Sequence, residues 1–279
     1  MQILSNHLYI VSTPIGNLED ITIRALEVLK KSDIILCEDT RRSSKLLGHY
    51  KIKKKIISYH KFNEKKMTSN IIKYINEGKI LSLISDAGTP LLSDPGRLLV
   101  NACLERDINV TPIPGASSIT TALSVSGFSD QFLFYGFLPK KEKELEKVLT
   151  HLSTNNYVQV FFAPSRKINF YIKNFKKYFV GRKILIAKEL TKIHESFTRM
   201  DIDQLKNFKE PIKGEFTIVI SENNNKTKKI DEEKIVNKIK KYLKKYSLKD
   251  TVSLILETER INKKKIYQLC LKIKNEKNN

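Results

Sequence analysis

The chain has 279 residues, 41% of them hydrophobic, which is long and apolar enough to bury a sizeable core and excludes intrinsic disorder as the expected class. Lys and Arg outnumber Asp and Glu 51 to 30, and a formal charge of +21 points to a polyanionic partner, because clustered cations gain affinity by displacing counterions from phosphates. No run reaches the roughly 20 consecutive apolar residues of a membrane span, and no basic flank leads into an apolar stretch at the start, so the reading is a cytoplasmic protein without membrane attachment. Lysine supplies 42 of the 51 cations, a bias that a lysine-rich coding composition produces equally well. Cys37, Cys103 and Cys270 stand alone, with no C-x-x-C spacing and no nearby histidine, and read as small core residues rather than metal ligands.

In chain order, short apolar runs alternate with amphipathic segments, the pattern of an α/β fold. Residues 8–12 read as a strand, followed by a helix with Ile23, Leu26 and Leu29 on one face. Strand 34–37 precedes a segment carrying Leu46 and Leu47. Strand 56–59 precedes a helix with Met67, Ile71, Ile72 and Ile75, closed by Gly78. Residues 80–84 form the clearest buried strand, 98–104 a helix, and 110–113 a strand running into Pro114-Gly115. Further strands are expected at 132–137, 157–162, 184–187 and 216–220, with helices around 145–149 and 168–175. The polar, Asn- and Lys-rich stretch 222–229 reads as a linker. Beyond it Ile235, Ile239 and Leu243 form a helical stripe, and two short helices at 248–256 and 266–273 flank a polar turn around Asn262. Residues 226–279 hold 17 Lys and Arg against 7 Asp and Glu, close to half of the excess charge. This reads either as a basic helical RNA-binding module or as a solvated charged tail.

No G-x-G and no G-x-x-x-x-G-K occurs, which excludes an ordinary dinucleotide fingerprint or P-loop. Glycine and proline instead collect just after predicted strands, where α/β sheets open their ligand crevice. The three loops are Thr13-Pro14-Ile15-Gly16-Asn17; Ser85-Asp86-Ala87-Gly88-Thr89-Pro90, continuing into Ser93-Asp94-Pro95-Gly96; and Pro112-Ile113-Pro114-Gly115-Ala116-Ser117-Ser118. Gly16, Gly88 and Gly115 are expected to bring backbone close to a ligand, and Asp86 to accept hydrogen bonds from a ribose or amine. Glu38-Asp39-Thr40-Arg41-Arg42 ends a strand with a set of charges that is costly near a core unless paired or functional. It reads either as a helix cap with surface ion pairs or as the mouth of an RNA site. Tyr59, His60 and Phe62 offer aromatic surface for base stacking, and an ordinary exposed strand end would look the same. His194 is assigned no role.

The strand at 8–12, the loop with Gly16, Leu18-Glu19-Asp20-Ile21-Thr22, Arg24-Ala25-Leu26 and Asp33-Ile34-Ile35 together resemble the opening of the tetrapyrrole methylase superfamily. The forms P-I-G-N, Glu38-Asp39-Thr40-Arg41, S-D-A-G-T-P and Glu189-Leu190-Thr191-Lys192 are similar to one branch of it, which methylates a cytidine ribose O2′ in 16S ribosomal RNA. The likeness runs from about residue 8 to 220 and is looser beyond.

The resemblance implies two α/β domains, 1–115 and 116–222, with a cofactor cleft between them, and a linker plus basic helical module over 223–279. It implies a homodimer that uses S-adenosylmethionine and no metal, acting on small-subunit ribosomal RNA or the assembled small subunit. Cofactor contacts map to Pro14, Asp86, Gly88, Thr89, Pro90, Ser117 and Ser118, with Phe162, Ala163, Leu190, Glu215, Phe216 and Thr217 from the second domain. Where the family pattern carries a Tyr-Glu-Ser-like run, this chain reads Phe162-Ala163-Pro164-Ser165. Glu38, Arg41, Arg42, Tyr59, His60 and Phe62 are the expected RNA contacts, and Asp39 the expected proton acceptor. The rival readings are a tetrapyrrole C-methyltransferase on the same fold, and a non-catalytic RNA-binding protein that would explain the charge but not the three loops.

Overall fold

In the computed structural model, residues 4–209, 211–223, 232–258 and 263–275 are described, and the chain divides into two compact units, Met1–Asn224 and Asn225–Asn279. The first unit opens with β1 (His7–Val11), α1 (Ile23–Lys31), β2 (Ile34–Cys37), α2 (Thr40–His49), β3 (Lys55–Ser58), α3 (Glu64–Asn76), β4 (Ile80–Leu83), α4 (Arg97–Leu104) and β5 (Asn109–Ile113). The five strands pair in parallel in the order β3-β2-β4-β1-β5. Every residue of β1 and β2 is buried, as a parallel sheet covered on both faces requires. Alternate side chains go to opposite faces. Leu8, Ile10, Ile34 and Leu36 pack with Ile71, Ile75, Leu99 and Cys103 of α3 and α4. Tyr9, Val11, Ile35 and Cys37 pack with Ala25, Val28, Leu29 and Leu47 of α1 and α2.

The face of α1 differs from the expected one. Leu29 is buried and Leu26 packs against the same core as expected, but Ile23 is 78% exposed and Ala25 and Val28 are buried in its place. The helix starts immediately after Thr22, whose hydroxyl accepts the Ala25 amide, and small Ala25 lies where the helix meets the sheet.

The second sheet is mixed, in the order β6-β7-β10-β8-β9. It uses β6 (Phe132–Phe137), β7 (Val158–Pro164), β8 (Lys183–Lys188), β9 (Ser196–Asp201) and β10 (Glu215–Ile220). Within it β6 and β7 pair in parallel and the other neighbours antiparallel. α6 (Glu142–Ser153) and α7 (Ile168–Tyr178) cover one face, with Leu145, Leu149, Ile172 and Phe175 against Phe161 and Ile218. α5 (Ser118–Ser124) covers the other with Ile119 and Ala122. The sequence pattern missed α5 and β9: α5 has only seven residues and few large apolar ones, and β9 is an edge strand with no fully buried residue.

The second unit holds α8 (Glu232–Tyr242), α9 (Leu248–Thr258) and α10 (Lys263–Asn275), closed around Ile235, Ile239, Val252, Ile255, Ile266 and Cys270. The expected linker at 222–229 falls largely outside the described residues, as does the turn around Asn262. Among the described residues no helix is long and apolar enough to cross a membrane, and no group of His, Cys, Asp and Glu could hold a metal ion.

Candidate active site

The loops after β1, β4 and β5 leave the same end of the first sheet and are stitched together. Thr13 and Gly88 exchange backbone hydrogen bonds, N to O at 2.9 Å and the reverse at 3.0 Å. The Thr13 hydroxyl donates to the Ser85 carbonyl at 3.3 Å, Ser12 and Thr89 share a hydroxyl contact at 3.0 Å, and Thr89 donates to the Ala116 carbonyl at 3.4 Å. Gly88 has φ +77°, a conformation that costs an L side chain and that this exchange with Thr13 demands.

Above these loops lies a cavity of about 470 Å³, within the usual range for a small-molecule site. The first sheet contributes Ile15, Asp86, Gly88, Thr89, Asp94, Ser117 and Ser118 to its wall, and the second sheet Phe137, Phe162, Ala163, Leu190, Lys192, Glu215, Phe216 and Thr217. The apolar wall is rigid, because Phe162 packs edge-on against both Phe134 and Phe137. With Phe162, Ala163 and Pro164 there, the end of β7 contributes no charge to the wall.

The charges at the rim are mostly committed. Asp86 takes the Arg42 guanidinium at 3.3 Å and accepts the Asp39 amide at 3.2 Å. Lys192 bridges Glu189 at 3.1 Å and Glu215 at 2.9 Å. Burial, and after it the nearby Asp86 charge, raise the Glu38 carboxyl above the ordinary range. Burial first, then Glu38 and Asp86, push the Asp94 carboxyl up to about 7 against the opposing Ser85 hydroxyl.

Most expected cofactor residues line the cavity: Asp86, Gly88, Thr89, Ser117, Ser118, Phe162, Ala163, Leu190, Glu215, Phe216 and Thr217. Pro14, Gly16 and Pro90 do not. Pro14 and Pro90 are buried beneath their loops. Gly16 is required by the protein itself, since a Cβ there would sit 2.5 Å from Lys192 Cγ and 2.7 Å from Thr191 Oγ1, where the two sheets' loops meet. Ile15, Asp94, Phe137 and Lys192 were not among the expected residues. Asp94 had a signal, the S-D-P-G turn directly after the second loop.

Two further expectations are corrected. Asp39 caps α2, accepting the Arg41 amide at 2.9 Å, and holds the Arg41 side chain at 3.1 and 2.8 Å. These bonds hold its carboxyl well below the ordinary range, which makes it a weak proton acceptor. Tyr59 is fully buried in the first sheet's core with its hydroxyl 3.1 Å from Thr68 Oγ1, so it has no face to offer a base. Tyr59→Phe should therefore cost about 0.5–1.5 kcal/mol in urea unfolding and leave RNA affinity unchanged. Weakened RNA affinity at unchanged stability would restore the stacking role. Phe62, two residues after His60, is 94% exposed, and the side chains of Arg41 and Arg42 are 87% and 68% exposed, so these remain on the surface, with Arg42 on the cavity wall.

The family model for tetrapyrrole (corrin/porphyrin) methylases matches residues 7–206. The chain is 42% identical over 240 residues to a ribosomal RNA small subunit methyltransferase I of Mesomycoplasma conjunctivae, covering 85% of this chain and all of that one. It is 43% identical over 218 residues to the protein of the same name from Thermotoga maritima, covering 77% of this chain and 97% of that one. Among solved structures, diphthine synthase superposes with a TM-score of 0.59 at 14% identity, covering 77% of this chain and 90% of that one, which is a likeness of fold. The chain thus belongs to the tetrapyrrole methylase family, in its ribosomal RNA small subunit methyltransferase I branch.

Proposed function

We propose that the chain transfers a methyl group from S-adenosylmethionine to the ribose O2′ of a cytidine in small-subunit (16S) ribosomal RNA, working in the cytoplasm as a homodimer. The observation that carries this reading is the cavity at the carboxyl ends of β1, β4 and β5, roofed by residues of the second sheet, in a chain whose relatives bear that name. The division at 115/116 into two domains flanking the cleft belongs to the same proposal.

The donor set suits a cationic, part-apolar nucleoside. Ile15, Phe162 and Leu190 offer apolar surface, Thr89, Ser117, Ser118 and Thr217 offer hydroxyls, and Asp86, Asp94 and Glu215 outnumber Arg42 and Lys192. When bound, the sulfonium supplies an already activated methyl group with a neutral thioether leaving group. The chain's own contribution is position and exclusion of water: the stitched loops hold their side chains at fixed separations, and well-oriented reactants gain several kcal/mol of barrier lowering. Exposed Phe62 would stack an unpaired base, and Arg41 and Arg42 would meet phosphates, with Glu38 and His60 behind them at the rim.

A tetrapyrrole C-methyltransferase is disfavoured by the E-D-T-R segment, the absence of a glycine-rich first loop and the names of the similar chains. A purely RNA-binding protein leaves the cavity without purpose. Methylating small-subunit RNA with this chain and then hydrolysing it in alkali tests the site of transfer. Methylation of O2′ removes the internal nucleophile, so one phosphodiester next to a cytidine should resist cleavage. Methyl incorporation with every bond still cleavable would place the group on a base.

A further inference from the structure

We propose that Asp94, on the loop between β4 and α4, accepts the proton of the attacking hydroxyl; this rests on the reading of the cleft as a methyl-transfer site. Three carboxylates line the cavity, Asp86, Asp94 and Glu215. Two are spoken for: Asp86 holds Arg42 and the Asp39 amide, and Glu215 holds Lys192. Among the described residues no cation pairs with Asp94. It sits half-buried on the wall with only the Ser85 hydroxyl opposing the charges of Glu38 and Asp86.

The loop that presents Asp94 is held in a strained shape. Leu91 and Ser93 have φ of +72° and +76°, which few non-glycine residues adopt. Ser93 packs at Gly136 of β6, where a Cβ would lie 2.7 Å from Ser93 Oγ. The Gly96 amide is turned to Glu64 Oε2 at 3.4 Å. One loop is thereby pinned to both sheets with its carboxylate on the cavity wall, while the neighbouring Leu92 stays 43% exposed at the lip where a large substrate enters.

The step balances simply. The O2′–H proton passes to an Asp94 carboxylate oxygen as O2′ bonds the methyl carbon; the methyl–sulfur bond breaks and its electron pair stays on sulfur. The proton then leaves Asp94 to water.

A carboxyl titrating near 7 is matched to this task, since a base works best with a pKa near the working pH. The groups that act on it are Glu38 after β2 and Asp86 and Ser85 after β4; Arg42 of α2 lines the same cavity, held by Asp86, and His60 after β3 faces Glu38, while Glu64 of α3 takes the Gly96 amide two residues on and Arg97 of α4 is exposed. Turnover should fall as pH drops below about 7, where Asp94 takes up its proton and can no longer accept another.

The test is Asp94→Asn assayed with saturating S-adenosylmethionine and small-subunit RNA. Turnover should drop roughly 100- to 10,000-fold, the acid limb of the pH profile should vanish, and Asp94→Glu should recover part of the rate. Two readouts stand apart from activity: calorimetric affinity for S-adenosylmethionine should fall far less than turnover in Asp94→Asn, and infrared difference spectra of the free chain should show the Asp94 carboxyl titrating near 7. A wild-type rate in Asp94→Asn, or an acid limb that survives it, overturns the assignment, as does a loss of affinity that accounts for the whole loss of rate. If the wild-type chain itself binds no S-adenosylmethionine, the reading of the cleft fails first and the assignment with it.

Discussion

Gly88→Val should abolish S-adenosylmethionine binding while the chain still folds. Gly88 has φ +77°, and a β-branched residue in that region costs about 1–3 kcal/mol of strain. Its Cβ would also meet Ile15 Cγ2 at 3.3 Å, and Ile15 lines the cavity. Relief by rotating the backbone breaks the paired hydrogen bonds to Thr13 and carries Thr89 away from Ser12 and Ala116, so all three loops move at once. The second sheet's core does not involve this residue, which is why the fold survives. Calorimetry should show affinity weakened by at least about 100-fold, equivalent to roughly 2.7 kcal/mol. Asp86→Ala frees Arg42 and the Asp39 amide and should act in the same direction through the rim. Wild-type affinity in both variants would mean that the cavity is not the cofactor site.

Removing residues 225–279 should leave S-adenosylmethionine binding intact and weaken RNA binding by about 10- to 100-fold near 0.1 M salt, with a shallower salt dependence. The helices of this unit close on their own apolar core, so the cut falls between compact units. The Thermotoga relative is matched over 97% of its length by 77% of this chain, so close to a quarter of this chain has no counterpart there. The positions from 226 onward carry 17 basic against 7 acidic residues, and each phosphate that the shortened chain no longer neutralises should lower the slope of log affinity against log salt by roughly 0.7–0.9. A slope that does not change on truncation would reduce the unit to a solubility device.

The local elements were legible because they follow from periodicity. Apolar runs at 34–37 and 80–84 have only one way to be buried on both faces, as central strands, and the 3.6-residue spacing of Ile71, Ile72 and Ile75 recurs in α3 as it stands. The three glycine- and proline-rich loops were legible for a related reason, since such residues after a strand mark a turn at the ligand end of a parallel sheet.

What each residue does in those loops was decided by contacts between segments distant in the chain. Gly16 and the loop at 190–192 are separated by more than 170 residues, and only their meeting makes the glycine a packing requirement rather than a ligand contact. Tyr59 read as a stacking surface until α3 covered it, and Asp39 read as a base until its own helix and Arg41 took both its oxygens. Asp94 was named only as part of its loop and given no role, because its raised carboxyl depends on burial and on Glu38 after β2 as well as the nearby Asp86. Sequence by itself determined most of the elements, though not α5 or β9, together with the family and the loops of the cleft, since these rest on local pattern. Burial and charge pairing between distant segments, which only the tertiary structure supplies, decided which carboxylates of the cavity wall hold a cation and which of the described ones does not.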